Sequence, residues 1–266
     1  MSHIPHTAPA QTHPGRLYHY FLGGTGSAEV DRVAAAEVEK VTPTVRTMAR
    51  VNREFMHRTI AYLAEHGIRQ FLDIGSGIPV EPNLHQIAQA VTPEAKIVYI
   101  DNDPGVLARA SGLLNSDSQG ATAILEADVT QPTTILNALT LHETLDLDEP
   151  VALSLISVMH FISDRHHPYA AVATLLDALA PGSYLVLSHS TADFAPRTTS
   201  AAVRVYRASG MDPQPRTRAE TLRFFDGLDL VAPGVVPPHR WRNPGSPAPA
   251  VMDAEVGFYG GVGCKP

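Results

Sequence analysis

The chain has 266 residues and a mass of 28.6 kDa, which suits one α/β domain with an N-terminal extension rather than two full domains. Its 27 acidic and 20 basic residues give a formal net charge of −7, which argues against a nucleic-acid-binding protein that needs a broad positive surface. The single cysteine, Cys264, excludes a disulfide framework within the chain and favours a reducing compartment, with the cytoplasm as the expected location. No apolar run approaches the roughly 20 residues that cross a bilayer, so a membrane is not an expected partner.

The N-terminal part of the chain divides into two predicted segments. Residues 1–14 are predicted to be a disordered tail, and residues 15–67 a helical extension that precedes the core, 68–266. Within the extension, residues 28–41 are rich in Ala, Glu and Val and predict a helix. Pro43 then begins a second helix, which runs to about Glu65 and is followed by Gly67 as a C-cap.

The second helix carries an apolar stripe at helical spacing, which predicts its buried face. Its members are Val45, Met48, Ala49, Asn52, Phe55, Met56, Thr59, Ile60 and Leu63. Asn52 is the polar member, and a buried amide needs hydrogen-bond partners, so it either fixes a loop or faces a polar ligand. A neighbouring row contains Arg46, Arg50, Arg53 and His57. Such a row is either solvated or supplies an arginine that binds a carboxylate, and Arg50 is placed in the candidate site.

A glycine pair, Gly23 and Gly24, follows the aromatic run at residues 18–22. The pair indicates either that the backbone passes very close to another group or that it forms a flexible joint.

From Gln70 onward the pattern alternates between strands and helices, which specifies a parallel sheet covered on both faces. Strands are predicted over 70–74, 96–101, 121–126, 150–156 and 183–189, with helices over 83–91, 104–115, 131–140, 168–180 and 197–209. A short strand around 228–232 precedes a Pro-rich segment, 233–249, that contains Trp241. The last predicted strand covers 255–261.

Two acidic residues end two of these predicted strands. Residues 71–77 read Phe-Leu-Asp-Ile-Gly-Ser-Gly, an apolar strand that leads into a turn whose glycines let the backbone approach a ligand. A second apolar run ends in Asp101, about 25 residues after the glycines, where a carboxylate can accept hydrogen bonds from ribose hydroxyls. Because parallel strands end at the same edge of a sheet, Asp73 and Asp101 are expected to line one crevice.

The residues after this turn discriminate between nucleoside cofactors. A dinucleotide-binding turn would have Gly or Ala at the position of Val80. Pro79, Glu81 and Pro82 leave few free amides and put a negative charge where a phosphate would lie. S-adenosylmethionine has no phosphate, and its ammonium and sulfonium groups favour nearby carboxylates, so it is the predicted cofactor. A nicotinamide-dependent oxidoreductase is an alternative that Val80 disfavours.

Five stretches of the chain together resemble the class I S-adenosylmethionine-dependent methyltransferases, and within them an actinobacterial group long labelled a domain of unknown function. These stretches are residues 18–24, 46–53, 71–77, 98–104 and 180–189. The resemblance covers nearly the whole chain. It implies a Rossmann-like α/β fold with a seven-stranded, mostly parallel sheet, helices on both faces and an antiparallel last strand.

The resemblance also implies a methyl-donor site at the predicted crevice. In it Asp73 and Gly75 face the methionine end of the cofactor, Asp101 the ribose, and Asn102 and Asp128 the adenine. The N-terminal extension would lie over the cofactor as a lid. The remaining expected binding residues are Ser76, Gly77, Val129 and Ser157 from the strand ends, and Gly23, Gly24, Arg50 and Asn52 from the extension.

Methyl transfer to oxygen or nitrogen mainly needs positioning, and it needs a base only when the acceptor is protonated. His160 follows the fourth predicted strand, where the resembling fold places residues beside the transferred methyl, and it is the first candidate base. His189 ends the fifth strand, and Asp193 could orient it. Each histidine is equally explained by a structural role. No metal is expected, since the adjacent His166 and His167 cannot easily share one ion.

Two function classes stay open from the sequence. The first is a methyltransferase that acts on a small molecule, with secondary metabolism as the expected pathway. Its acceptor pocket would be formed by the lid, the arginine-bearing helix and the segment near Trp241. The second is a non-catalytic regulatory protein that binds S-adenosylmethionine as a signal. A homodimer is one expected assembly in either class.

Overall fold

The structure, a computed structural model, describes residues 11–110, 119–243 and 251–266. Most of the tail predicted over 1–14 therefore lies outside the described residues. The same holds for the end of the helix predicted over 104–115 and the end of the Pro-rich segment. In the described ranges, no helix combines the length and the apolar character that a bilayer-crossing segment needs.

The strands of the described residues form a single sheet. They are β1 Gln70–Ile74, β2 Lys96–Asp101, β3 Ala121–Glu126, β4 Val151–Ile156, β5 Tyr184–Ser190, β6 Asp229–Leu230 and β7 Phe258–Cys264. The spatial order is β3-β2-β1-β4-β5-β7-β6. Strands β1 to β5 are parallel, and β7 lies antiparallel between β5 and β6. The predicted seven-stranded, mostly parallel sheet with an antiparallel last strand is confirmed.

Helices cover both faces of the sheet and continue over its carboxyl edge. They are α1 Pro14–Phe21, α2 Glu29–Val41, α3 Val45–Glu65, α4 Leu84–Val91, α5 Pro104–Ala110, α6 Pro132–Leu136, α7 Leu139–Thr144, α8 Pro168–Asp177, α9 Pro196–Ala208, α10 Arg218–Leu222 and α11 Asp253–Val256. The strand order reverses between β1 and β4, which opens a crevice at the carboxyl ends of these strands.

The central strands are buried on both faces because successive side chains point to opposite sides of a sheet. In β2, Ile97 and Tyr99 pack against α3 and α4, whereas Val98 and Ile100 pack against α6, α7 and α8. Burial of each such side chain contributes about 1.5 to 3 kcal/mol. The apolar stripe predicted for α3 faces the core, and Gly67 ends the helix region with a φ of +96°.

Most predicted elements shift by a few residues at their ends, and two differ in the type of structure that they form. The single helix predicted over 131–140 is wrong, because the chain forms α6 and α7 with an extended backbone at Ala138 between them. The last strand is predicted to begin at 255, but Asp253–Val256 is helical. Gly257 then adopts a left-handed φ of +60°, and β7 begins one residue later.

The N-terminal helices pack on the carboxyl edge of the sheet. We call α1, α2 and α9 the cap. Leu17 and Phe21 of α1, Ala35 and Val38 of α2, and the first turns of α3 share one apolar cluster with residues of α9. The cap therefore covers the crevice where the strands β1, β2 and β4 end.

Helix α1 is absent from the sequence predictions, although the chain carries a signal for its start. His13 precedes Pro14, and its Nδ1 accepts a hydrogen bond from the amide of Gly15 at 3.2 Å. Proline at the first helical position after a capping side chain is a typical helix start. Arg16 then ties α1 to its surroundings, because it forms ion pairs with Asp31 of α2 and with Asp103 after β2.

Candidate functional site

A cavity of about 440 Å³ lies between the cap and the carboxyl edge of the sheet. The loops after β1, β2, β3 and β4 form its floor, and residues of α1, α2, α3 and α9 form its roof and walls. Most of the sequence-predicted site residues line this one cavity. They are Asp73, Gly75, Ser76, Gly77, Asp101, Asn102, Asp128, Val129, Ser157 and His160.

The glycine turn after β1 brings backbone to the cavity. Gly75 and Gly77 have left-handed φ values of +73° and +65°, which glycine adopts without strain. A Cβ on Gly75 would lie 2.3 Å from Cγ2 of Val158, in the loop after β4. The missing side chain thus lets the loops after β1 and β4 meet at the cavity floor.

Asp73 presents its carboxylate at the end of β1. Its Oδ1 accepts a hydrogen bond from the hydroxyl of Ser154 at 2.7 Å. Burial raises the pKa of Asp73 to about 6, although the Ser154 hydrogen bond and the charge of Arg53 act in the opposite direction. A cation that binds beside this carboxyl would favour its ionised form.

Asp101 is buried at the end of β2, and backbone amides hold both of its oxygens. Oδ2 accepts from the amide of Gly77 at 2.9 Å, and Oδ1 accepts from the amide of Asp103 at 3.0 Å. Burial raises the pKa of Asp101, while these two hydrogen bonds lower it. Each carboxylate oxygen keeps a second lone pair, so Asp101 can still accept hydrogen bonds from a diol.

Asn102 and Asp128 lie together at the same edge. The side-chain amide of Asn102 donates to Oδ2 of Asp128 at 2.9 Å, and Oδ1 of Asn102 lies 3.1 Å from Nε2 of His13. Burial would raise the pKa of Asp128, but hydrogen bonds from Thr130 and Asn102 outweigh that effect and lower it. His13, which the sequence predictions did not include, therefore brings the start of α1 into the site.

None of the four binding residues predicted in the N-terminal extension lines the cavity. Arg50 is exposed, with Nε 4.0 Å from Glu54, and Arg53 lines the cavity instead. The guanidinium of Arg53 binds the carbonyls of Val80 and Pro82, and its buried Nε has no partner. Asn52 is fully buried, and its side-chain amide donates to the hydroxyl of Tyr18 at 3.2 Å, which ties α3 to helix α1 rather than to a loop. Its Oδ1 is buried without a partner.

Of the glycine pair Gly23 and Gly24, Gly24 lies in close contact with another residue of the N-terminal extension. A Cβ on Gly24 would lie 2.1 Å from Nε2 of His19, so the group that the backbone approaches is a side chain of α1. Gly23 has a φ of +88° and nothing within 4 Å of such a Cβ. Neither glycine lines the cavity.

His160 lies in a short turn after β4, and it faces the cavity. It is 6% exposed, and its Nδ1 has no hydrogen-bond partner. Burial, together with the nearby His189 and Arg216, holds the pKa of His160 well below its usual range. The ring is consequently neutral near pH 7 and has a free nitrogen lone pair.

His189 does not line the cavity, and the expected partner Asp193 does not orient it. Its Nδ1 lies 2.8 Å from the carbonyl of Ser190, and its Nε2 lies 2.9 Å from Nη1 of Arg216. Asp193 instead accepts from the hydroxyl of Tyr259 and the amide of Arg218. Burial lowers the pKa of His189 to about 3, so this ring is a neutral core group.

Trp241 lies away from the cavity, contrary to the expected acceptor pocket. It is fully buried, and its ring packs edge-on against Phe55 and Tyr62 of α3 at 5.8 and 5.7 Å. The side of α3 that carries these residues faces the sheet, so the described part of the Pro-rich segment, residues 233–243, packs on the core. Residues of α9 form the cavity wall instead.

The residues present fit S-adenosylmethionine. Two buried polar atoms without a partner, Oγ of Ser76 and Nε of Arg53, belong to residues that line the cavity. Asp73 offers a carboxylate to a cation, Arg53 offers a donor to a carboxylate, and Asp101 offers acceptors to a diol. In the described part of the chain, no cluster of three His, Cys, Asp or Glu side chains has the geometry to hold a metal ion.

Fold and comparisons place the chain in a class of enzymes. The strand order, with an antiparallel β7 inserted beside β5, and the binding crevice are those of the class I S-adenosylmethionine-dependent methyltransferases. Human N-acetylserotonin methyltransferase in complex with S-adenosylmethionine shares this fold at 14% identity, with a TM-score of 0.50 over 93% of this chain and 62% of that one.

The family follows from closer relatives. The profile of the S-adenosyl methyltransferase family matches residues 4–266, and the chain belongs to this family. A DUF574 family protein from Streptomyces avermitilis is 45% identical over 96% of this chain and 98% of that one, with a TM-score of 0.94. A provisionally assigned methyltransferase from Thermobifida fusca is 35% identical over 96% and 95%, with a TM-score of 0.88. Among the curated proteins compared, none matches.

Proposed function

We propose that this S-adenosylmethionine-dependent methyltransferase transfers the methyl group to an oxygen or nitrogen of a small-molecule acceptor. The observation that carries the proposal is the single cavity that Asp73, Asp101 and Arg53 line together under the cap. The cofactor fills the strand-end side of such a cavity, and the acceptor enters beside the short turn that carries His160.

We assign the cofactor-binding roles from charge and hydrogen-bonding capacity. Asp73 binds the ammonium group and Arg53 the carboxylate of the methionine end. Asp101 accepts from the ribose hydroxyls, and Asn102 with Asp128 binds the adenine edge. The bound sulfonium supplies an activated methyl carbon, so the remaining task of the protein is positioning and removal of a proton.

The backbone contributes to this arrangement as much as the side chains. The left-handed turn at Gly75 and Gly77 keeps side chains away from the cofactor, while Asp101 holds the Gly77 amide in place at 2.9 Å. His160, whose ring is neutral and lines the cavity, accepts the acceptor's proton, because the negative charge that develops on the acceptor oxygen raises the pKa of the adjacent ring. Arg216 is a positioning residue, because it donates to the carbonyls of Met159 and Ile162 on either side of His160.

Calorimetry with S-adenosylmethionine tests these roles. The Asp101→Asn variant should bind at least about tenfold more weakly, because loss of a charged hydrogen-bond acceptor costs about 1.5 kcal/mol or more. Asp148→Asn, at an exposed position far from the cavity, is the matched control and should bind as the wild type does. Undiminished affinity in Asp101→Asn would contradict the assignment.

Turnover distinguishes the enzyme from a regulatory protein that only binds the cofactor. S-adenosylhomocysteine release is measured with a library of small molecules, and release with any of them rules out the purely regulatory role. The family assignment favours turnover. We further propose a cytoplasmic protein of actinobacterial secondary metabolism, which the single cysteine and the Streptomyces and Thermobifida relatives support.

A further inference from the structure

Four ring side chains form a continuous wall on the acceptor side of the cavity. The ring of His160 lies 5.3 Å from that of Phe258 and 4.4 Å from that of Phe161. The ring of Phe161 in turn lies 5.6 Å from that of Tyr206 on α9. All four side chains line the cavity, and we call them the ring wall. Such a surface favours a flat, apolar ligand.

The rest of this side of the cavity is built from uncharged residues. They include Met48, Ala202, Val203, Met211, Pro213 and Gly257, and also the hydroxyl-bearing Ser190, Thr198 and Thr199. Among the described residues, five with charged side chains other than histidine line the cavity, and four of them, Arg53, Asp73, Asp101 and Asp128, lie on the cofactor side. The other is Asp212, and its carboxylate is held by Arg165 at 3.0 Å and by Arg207 at 3.5 Å. No free charge is therefore available on the acceptor side to pair with a charged ligand.

Two side chains of the ring wall carry polar groups that can take part in proton transfer or hydrogen bonding. The ring of His160 lines the cavity, and its Nδ1 is buried without a partner. The hydroxyl of Tyr206 belongs to a second side chain of the ring wall. An imidazole nitrogen with a free lone pair accepts a proton, and a phenol hydroxyl can donate or accept. Both residues belong to the ring wall, which puts one acid–base side chain at an otherwise uncharged surface.

We propose that the acceptor is a neutral aromatic hydroxyl compound, that is, a phenol, which lies against the ring wall with its hydroxyl at His160. This proposal rests on the proposed function. An ammonium or a carboxylate would lose its hydration without gaining a partner of opposite charge, which disfavours both.

The chemistry of this acceptor balances with the groups present. The acceptor's O–H bond breaks, and its proton passes to the free nitrogen of His160. The oxygen electron pair forms the new bond to the methyl carbon, while the electron pair of the carbon–sulfur bond stays on sulfur. A neutral phenol and a sulfonium cation thus give a neutral ether, a neutral thioether and a protonated His160.

Calorimetry with three probes of one shape tests the proposal. The protein is first saturated with S-adenosylhomocysteine and then titrated with 2-naphthol, 2-naphthoate or 2-naphthylmethylammonium. We expect 2-naphthol to bind at least about tenfold more tightly than either charged probe. Absence of heat with S-adenosylhomocysteine would overturn the proposed function. Normal binding of that product, followed by equal or tighter binding of a charged probe or by no binding of 2-naphthol, would overturn the acceptor class alone.

A charge introduced into the wall provides an independent readout. Val203→Glu puts a carboxylate on α9 at the cavity, and we expect it to reverse the preference in favour of 2-naphthylmethylammonium. Should this variant fail to fold, the three-probe comparison on the wild-type protein still decides. An unchanged preference in a folded variant would contradict the placement of the acceptor.

The role of His160 is tested by separating binding from turnover. His160→Asn should bind 2-naphthol within about threefold of the wild type but methylate it roughly 10² to 10⁴ times more slowly, the usual contribution of a general base. His66→Asn, at an exposed histidine of the same chain, is the matched control. Methylation of 2-naphthol at an unchanged rate in His160→Asn would contradict proton transfer to this ring.

Discussion

Nη1 of Arg216 lies 2.9 Å from Nε2 of His189 in the interior of the protein. Because a guanidinium only donates, Nε2 must be the acceptor, and the proton of the neutral ring lies on Nδ1, which donates to the Ser190 carbonyl. Arg216 also donates to the carbonyls of Met159 and Ile162, each at 3.1 Å. These two residues bracket His160, so one buried cation fixes the turn that carries the candidate base.

Replacement of this cation should destabilise the protein strongly. Arg216→Met removes the donors to the carbonyls of Met159 and Ile162, to His189 and to Asp164, and each unsatisfied buried acceptor costs about 1 to 3 kcal/mol. We expect the free energy of unfolding in urea to fall by about 3 kcal/mol or more. Arg223→Met, at an exposed arginine that lies over the ring of Tyr169, is the control and should change it by less than about 1 kcal/mol. A similar small loss in both variants would contradict the role of Arg216.

The buried His189 should make stability depend on pH. Its pKa is about 3 in the folded protein, against 6.5 for a free histidine, so the unfolded chain binds a proton more readily between these values. The contribution of neutral His189 to the free energy of unfolding is fully present above pH 6.5. It is lost as the pH falls towards 3, by at most about 1.4 kcal/mol per pH unit. In His189→Gln, urea unfolding between pH 4 and 7 should lack this contribution. An equally steep pH dependence in both proteins would exclude His189 as its source.

Cofactor affinity should depend on the ionisation of Asp73. Its pKa of about 6 means that a proton competes with the ammonium group of the cofactor below that pH. We expect the affinity for S-adenosylmethionine to be constant above pH 7 and to fall by up to about tenfold per pH unit below pH 6. Asp73→Asn should bind weakly at every pH, with this dependence abolished. Calorimetry from pH 5 to 8 measures both, and a flat profile in the wild type would contradict the prediction.

The turn after β1 should tolerate no side chain. Gly75→Ala introduces left-handed strain of about 1 to 2 kcal/mol and also a contact 2.3 Å from Val158. Gly227, with a φ of +81° and nothing within 4 Å of an added Cβ, is a matched control for strain alone. We expect Gly75→Ala to lose more stability than Gly227→Ala and to bind S-adenosylmethionine at least about tenfold more weakly. If Gly75→Ala and Gly227→Ala had equal stability and both bound S-adenosylmethionine as the wild type does, the prediction would be wrong, and Val158 would have moved aside without effect on the site.

Much of the fold follows from local sequence. The alternation of apolar runs with helical patterns predicts β1 to β5 nearly to the residue, because buried parallel strands need continuous apolar segments. Asp73 and Asp101 could likewise be placed at one edge, since parallel strands that follow each other end on the same side. The apolar stripe of α3 predicts its buried face for a similar reason.

Other parts of the site depend on contacts between distant segments. Arg50 and Arg53 belong to one polar row, and nothing local distinguishes them, yet the packing of α3 exposes the first and turns the second into the cavity. His160 follows an apolar strand and His189 lies at the end of one, so the two look equivalent in sequence. Arg216, which reaches them from beyond α9, makes His189 a core group, and only His160 faces the cavity.

The sequence by itself determined the sheet, the glycine turn and the pair of carboxylates, because each depends on residues that are neighbours along one strand or loop. The tertiary structure alone decided which arginine and which histidine face the cavity, and it assembled the ring wall from Phe258, His160, Phe161 and Tyr206. These residues come from β7, the turn after β4 and α9. Their contacts depend on long-range packing, which no local pattern of residues encodes.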